Sequence, residues 1–173
     1  MTGVVETIFA TDEGSKPMEQ VEAIEAVERR GLRGDRYMEG TGYYSGFDEC
    51  EVTLIEHEAI AEIREAHGID LSDGRHRRNV VTRGVDVHEL LRGGRFRVGE
   101  VVFEGTRPRP PCAHVEQVAG EEGVSRSLGE GRGGICASVV EGGQLHAGDE
   151  IERLAGDGEE GIAEEIERGV TNR

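Results

Sequence analysis

The chain has 173 residues, the size of one ordinary domain with a single core, and it carries 36 acidic against 20 basic residues for a net charge of −16. Such a surface repels phosphate backbones and anionic lipid, which argues against nucleic acid or a membrane as partner. Lys16 is the only lysine among the bases, and an acidic, lysine-poor surface suggests a protein from a high-salt habitat, where self-repulsion is screened to roughly 3 Å at 1 M.

No apolar run approaches the roughly 20 residues that span a bilayer. The opening MTGVVETIFA has neither the basic region nor the cleavage site of a secretory signal, so a cytoplasmic location is expected. Three cysteines, Cys50, Cys112 and Cys136, form no CxxC pair. That pattern disfavours a disulfide framework or a structural zinc site and leaves at least one thiol free.

In chain order, strand-like runs rich in β-branched residues are predicted at 4–10, 50–55, 78–82, 95–105, 135–141 and 149–154, separated by glycine-bearing turns. Between the first two, MEQVEAIEAVERRG places Val21, Ile24 and Val27 three apart in a Glu- and Ala-rich setting, and propensity there favours helix. EHEAIAEIREAHG reads as an amphipathic helix ended by Gly68, with Ala59, Ile60 and Ile63 on one face. Shorter helical turns are expected at 86–91, with Asp86 as N-cap, and at 112–119. Six strands with glycine turns and short helices describe a mainly β, α+β fold of the barrel or sandwich kind. Residues 155–173 read as an acidic appendage, compatible with disorder or with one short docked helix.

Four segments could carry chemistry. GLRGDRY (31–37) places Asp35 between Arg33 and Arg36 and reads alone as a tight turn with a surface ion pair. HRRNVV (76–81) reads either as a solvated strand start or as a guanidinium fork beside Asn79, suited to an anionic, amide-rich ligand. GRGGICASV (131–139) exposes backbone N–H groups beside Arg132, as a simple turn or an anion nest. RPRPPCAH (107–114) sets Cys112 after Pro110 and Pro111, with Arg107, Arg109 and His114 near it in sequence. Cationic neighbours of this kind lower a thiol pKa when close in space, and such a thiolate can attack, carry sulfur or bind a soft metal. Cys50 and Cys136 lie at predicted strands and read as structural; His57, His67, His76, His88 and His146 read as surface groups without ligand spacing.

The ordered series from KPM and GLRGDRY through VTLIEHEAI, RRNVVTRGVDVHELL and RFRVGEVVFEGTRPRPPC to GGICASVVEGGQLHAGDEI resembles the MOSC family, named for the C-terminal domain of molybdenum-cofactor sulfurase. The resemblance implies a β-barrel domain over residues 1–154 and a strand, not a helix, where MEQVEAIEAVERRG stands. It implies a molybdenum-cofactor (molybdopterin) or sulfur-transfer role, with Cys112 as the molybdenum thiolate ligand by analogy with the amidoxime-reducing branch. In that branch an Arg-x-Asn element contacts the cofactor, which falls on Arg77 and Asn79. Arg36, Arg107, Arg109 and Arg132 are further candidates to line the pocket.

The resemblance starts at the first strand, without the extra N-terminal barrel of the amidoxime-reducing enzymes, and the Pro108-to-Cys112 form is shared with stand-alone members. No desulfurase, flavin or iron–sulfur module is visible in this sequence. A separate electron donor or cysteine desulfurase is therefore the expected partner, and a small molecule the expected substrate. Three readings follow from the resemblance: a molybdenum-dependent oxidoreductase acting on N-hydroxylated compounds, a sulfur transferase carrying a Cys112 persulfide, and a non-catalytic cofactor-binding module.

Overall fold

The computed structural model describes residues 2–13, 16–35, 38, 50–109 and 113–154. Eleven strands and four helices lie among them: β1 (Thr2–Ala10), β2 (Glu19–Val21), β3 (Ala23–Val27), β4 (Gly31–Leu32), β5 (Val52–Glu56), α1 (His57–His67), β6 (Val80–Arg83), α2 (Val87–Gly93), β7 (Arg95–Val98), β8 (Val101–Pro108), α3 (Ala113–Ala119), α4 (Val124–Ser127), β9 (Ile135–Glu141), β10 (Gly143–His146) and β11 (Glu150–Arg153). The main sheet runs β11-β7-β8-β9-β5-β6-β1-β2, and pairing of β11 with β1 closes seven of these strands into a barrel. Only β5 and β6, joined through α1, pair in parallel within it. A small second sheet, β10-β3-β4, lies beside the barrel.

Strand alternation builds two cores from the same strands. Ile8, Leu54 and Val80 point into the barrel, where they join Phe96, Phe103 and Ile135. Their neighbours Phe9, Ile55 and Val81 point outward and are covered by Ile60 and Ile63 of α1, Val115 of α3 and Leu128. The outward face is therefore apolar because helices cover it.

The expected strands are found with small changes of boundary, and 95–105 divides at a turn between β7 and β8. Both expected helix boundaries hold: Gly68 closes α1 at φ 69°, and the Asp86 side chain accepts from the His88 N–H. Residues 19–27 form strands, as the resemblance implied and against propensity. β2 pairs with β1 and β3 with β10, so backbone pairing and the packing of Val21 and Ile24 on the core outweigh helix preference. Among the described residues no helix is long and apolar enough to cross a membrane. Arg36, Cys112 and the 155–173 appendage lie outside the described residues.

The cysteine expectation needs correction. Cys50 and Cys136 form a disulfide with their Cα atoms 5.3 Å apart, closing a loop of 86 residues, and Cys112 is the one cysteine outside it. Spacing alone did not show this pair because the pairing of β5 with β9, not sequence proximity, brings the two together.

Phe96 and Phe103 stack at a centroid distance of 5.6 Å in the centre of the barrel. Phe103→Ala should lower the unfolding free energy by about 3–5 kcal/mol in denaturant titrations; a loss below about 1 kcal/mol would mean that the barrel interior is not packed as described.

Candidate functional site

The turn at 72–76 feeds β6 through Arg77, which holds a left-handed φ of 66°. For a residue with a Cβ this conformation costs on the order of 1–2 kcal/mol. Its effect is to send three consecutive side chains to three different partners.

The Arg77 guanidinium crosses to the connection between β1 and β2, donating from Nη1 to the Lys16 carbonyl at 2.6 Å and from Nη2 toward the Glu13 carbonyl at 3.5 Å. Arg78 turns inward and is 1% exposed. Its Nε donates to the Gly133 carbonyl at 2.8 Å and its Nη1 to the His76 carbonyl at 2.6 Å.

Asn79 is also fully buried. Its Oδ1 accepts from the Thr53 N–H at 3.0 Å and the Thr53 hydroxyl at 3.1 Å. Its Nδ2 donates to the Phe9 carbonyl at 3.0 Å and to Asp35 Oδ1 at 3.1 Å. Two acceptor and two donor positions are thus used, the whole capacity of a carboxamide.

These contacts overturn three expectations. HRRNVV is not a solvated strand start: His76, Arg77, Arg78 and Asn79 are all buried. His76, expected at the surface, packs edge-on against Phe9, and its Nδ1 accepts from the Arg78 N–H at 2.8 Å. Asp35, expected in a surface ion pair, is likewise buried and accepts from the Thr11 N–H at 3.2 Å as well as from Asn79. The GLRGD turn and the RRN segment are thereby one hydrogen-bonded unit.

The glycine loop and the proline–cysteine segment meet on the other side of Arg78. The Arg109 N–H donates to the Gly134 carbonyl at 2.8 Å, extending the pairing of β8 with β9 by one residue beyond Pro108 and Ile135. A side chain at Gly133 would run into the Arg109 carbonyl, and one at Gly134 into the Leu54 carbonyl. Gly134 also has φ 85°. Glycine is therefore required here for close approach of backbones, which the simple-turn reading did not capture.

The remaining candidates divide. Arg107 and Arg109 are half-buried on the chain that leads to Cys112, and Arg107 Nη1 donates to the Pro108 carbonyl at 3.3 Å. Arg132 faces α1 and the turn before it: Nε donates to the Ser127 carbonyl at 2.9 Å, Nη2 lies 3.3 Å from His67 Nε2, and Nη1 is 3.8 Å from Glu62. The structure brings together the segments carrying Arg77, Asn79, Asp35, Arg109 and the glycine loop, and it turns Arg132 away toward α1.

Arg78 is the residue that sequence reading missed. Thr53, a hydroxyl inside the apolar run VTLI, was the available signal of a buried polar partner.

Two clefts flank the Lys16–Met18 segment. One, of about 280 Å³, is lined by Met18, Asp73, Arg75, Arg77, Val118 and Ala119 among others. The other, of about 340 Å³, is lined by Thr11, Lys16, Glu19, Ile24 and Arg33 among others. The Arg77–Lys16 hydrogen bond fixes the wall between them. The first cleft abuts the C-terminal end of α3, whose N-terminal end directly follows Cys112; the two ends of such a helix lie roughly 9 Å apart.

A family model for the MOSC domain matches residues 41–152. No curated protein matches the chain. Among solved structures, the YuaD protein from Bacillus subtilis has a TM-score of 0.73 at 20% identity, covering 88% of this chain and 95% of that one. YiiM from Escherichia coli has a TM-score of 0.64 at 19% identity, covering 89% and 70%. At these identities the likeness is one of fold.

Gly134→Ala combines a left-handed φ with a backbone clash and should cost about 3 kcal/mol or more in unfolding free energy. Gly148→Ala, at φ 93° with open space around it, should cost only about 1 kcal/mol. Equal losses in parallel thermal melts would remove the close-approach argument for the glycine loop.

Proposed function

The chain belongs to the MOSC domain family, and from that premise we propose that it binds the molybdenum cofactor with Cys112 as the protein thiolate, in an oxidoreductase that removes oxygen from N-hydroxylated compounds. MOSC domains as a family are associated with the molybdenum cofactor or with sulfur-related roles. The observation that carries the reading is the grip of Arg78 on the glycine loop, because that loop pairs with Arg109 and so anchors the chain that runs into Cys112.

Arg75 and Arg77 line the cleft beside α3 together with Asp73, and Met18, Val118 and Ala119 give it apolar surface that could cover a flat ring. Arg75 is paired with Asp73 and Glu121, and Arg77 with the Lys16 and Glu13 carbonyls, so a phosphate here would share both guanidinium groups with their protein partners. The amide edge of a pterin would have to find other partners than Asn79, whose four hydrogen-bonding positions are engaged within the protein. In this reading Asn79 ties Thr53, Phe9 and Asp35 to the start of β6, and Arg77 fixes the wall at Lys16. Among the described residues no group of three His, Cys, Asp or Glu is placed to hold a metal, so Cys112 is the ligand the reading depends on.

When bound, the cofactor supplies a metal centre that accepts an oxygen atom and exchanges two electrons. The net reaction, R–NHOH + 2 e⁻ + 2 H⁺ → R–NH₂ + H₂O, draws its electrons from a separate donor protein. Arg77 and Arg75 would bind and orient the cofactor, and the Cys112 thiolate would hold the metal.

The disulfide favours a second reading. With Cys50 and Cys136 bonded to each other, Cys112 is the one cysteine able to accept sulfane sulfur from a cysteine desulfurase, as a persulfide carrier requires.

Protein made in a cofactor-competent host should hold close to one molybdenum per chain by elemental analysis, and Cys112→Ser should reduce this at least about tenfold. Absence of molybdenum from the wild type, or equal content in the variant, overturns the cofactor reading. A mass gain of about 32 Da on Cys112 after incubation with desulfurase and cysteine, in protein without molybdenum, would establish the carrier in its place.

A further inference from the structure

We propose that the Cys50–Cys136 disulfide is a redox-sensitive latch on the candidate site, closed when oxidised and loosened by a dithiol reductant. The inference deepens the proposed function by adding regulation of the same site, and it rests on that site being the functional one.

The latch sits where the site's supports converge. Cys136 lies directly opposite Thr53 of β5 on one side and Arg107 of β8 on the other. Thr53 carries the hydrogen bonds to Asn79, and Arg107 stands two residues before Arg109, whose N–H pairs with Gly134. Cys136 itself follows the glycine loop by one residue. One sulfur atom therefore restrains the strand that holds both halves of the site.

Two features make this restraint consequential. The register of β8 against β9 shifts between Gly105 and Arg107, next to the residue facing Cys136, so regular pairing is interrupted where β8 leads toward the site. The bond also joins β9 to the residue two positions before β5, a position where the chain enters the barrel and where Glu51 bonds across to Ala137 and Val139. Breaking the bond removes the covalent tie at that entry and leaves the Glu51 hydrogen bonds and the barrel pairing in place.

Both redox states can be folded. In the reduced state a Cys50 thiol finds an acceptor already in place, the Val52 carbonyl 3.5 Å from its sulfur. Cys136 sits fully buried in β9, beside the core residues Ile135 and Ala137, a setting in which a thiol behaves as a small apolar group. The step is a thiol–disulfide exchange: the Cys50–Cys136 S–S bond breaks, the dithiol is oxidised to its cyclic disulfide, and its two electrons and two protons pass to the two protein thiols. Cys50 and Cys136 are 5% and 0% exposed, so exchange requires local opening at the entry to β5 and is slow compared with that of a surface disulfide.

The test compares cofactor-free protein, oxidised and dithiothreitol-reduced, by peptide-resolved amide hydrogen exchange, with the rate of Cys112 alkylation at one fixed pH as a second readout. Reduction should speed exchange about tenfold in residues 105–109 and 133–136 and leave β1–β11 pairing unchanged. It should also alter the Cys112 alkylation rate about threefold or more. The double variant Cys50→Ala/Cys136→Ala should reproduce the reduced pattern. Identical exchange and alkylation in the two states, a reduced protein that unfolds globally, or a non-reducing peptide map without the 50–136 bond each overturn the latch. A redox-dependent pattern in a protein that never takes up molybdenum leaves the latch standing while the cofactor reading falls.

Discussion

A buried guanidinium organises this barrel. Arg78 is permanently charged and almost wholly removed from water, a placement that costs several kcal/mol unless its N–H groups are satisfied. Its Nη1 and Nε donate to the backbone carbonyls of His76 and Gly133, from segments more than 50 residues apart. Charge-assisted bonds of that kind are short and directional, so the start of β6 and the glycine loop cannot move independently. The placement of β8's end follows, because Arg109 pairs with the same loop.

The other constraints are arranged around this one. Arg77 accepts a left-handed backbone so that its side chain and that of Arg78 diverge, one toward the wall between the clefts and one toward the core. Asn79 and Asp35 then tie the GLRGD turn to β1 and β5 through hydrogen bonds. Satisfied polar networks of this sort rigidify a site without contributing a ligand contact. The disulfide adds a covalent restraint between β9 and the entry to β5. The result is a scaffold whose rigid parts surround the segment leading to Cys112.

Much of the fold was legible in the sequence because it depends on local pattern. β-branched runs gave the barrel strands, Gly68 and Asp86 marked helix ends, and Ile60 and Ile63 marked the buried face of α1. The 19–27 segment misled propensity because its strand state comes from pairing with β1 and β10, which is not encoded locally. The site was legible in its members and not in its geometry. Arg77 and Arg78 are chemically identical, and only the left-handed backbone at Arg77 decides which is turned inward. Burial of His76 and Asp35 was hidden for a similar reason: Asp35 accepts from Thr11 and Asn79 and His76 packs on Phe9, all distant in sequence, and hydropathy reads such residues as surface. The Cys50–Cys136 pair depends on strand register across 86 residues and had no local sign.

The most direct test of this account is the Arg78 Nε–H resonance in nitrogen-15 NMR, assigned by its loss in Arg78→Lys. A guanidinium hydrogen-bonded to the Gly133 carbonyl in the barrel interior should give a sharp signal whose exchange with deuterium is slowed at least about a hundredfold relative to the exposed Arg33 Nε–H. An Arg78 signal exchanging as fast as that of Arg33 would contradict the buried grip on the glycine loop, and with it the assembly of the site.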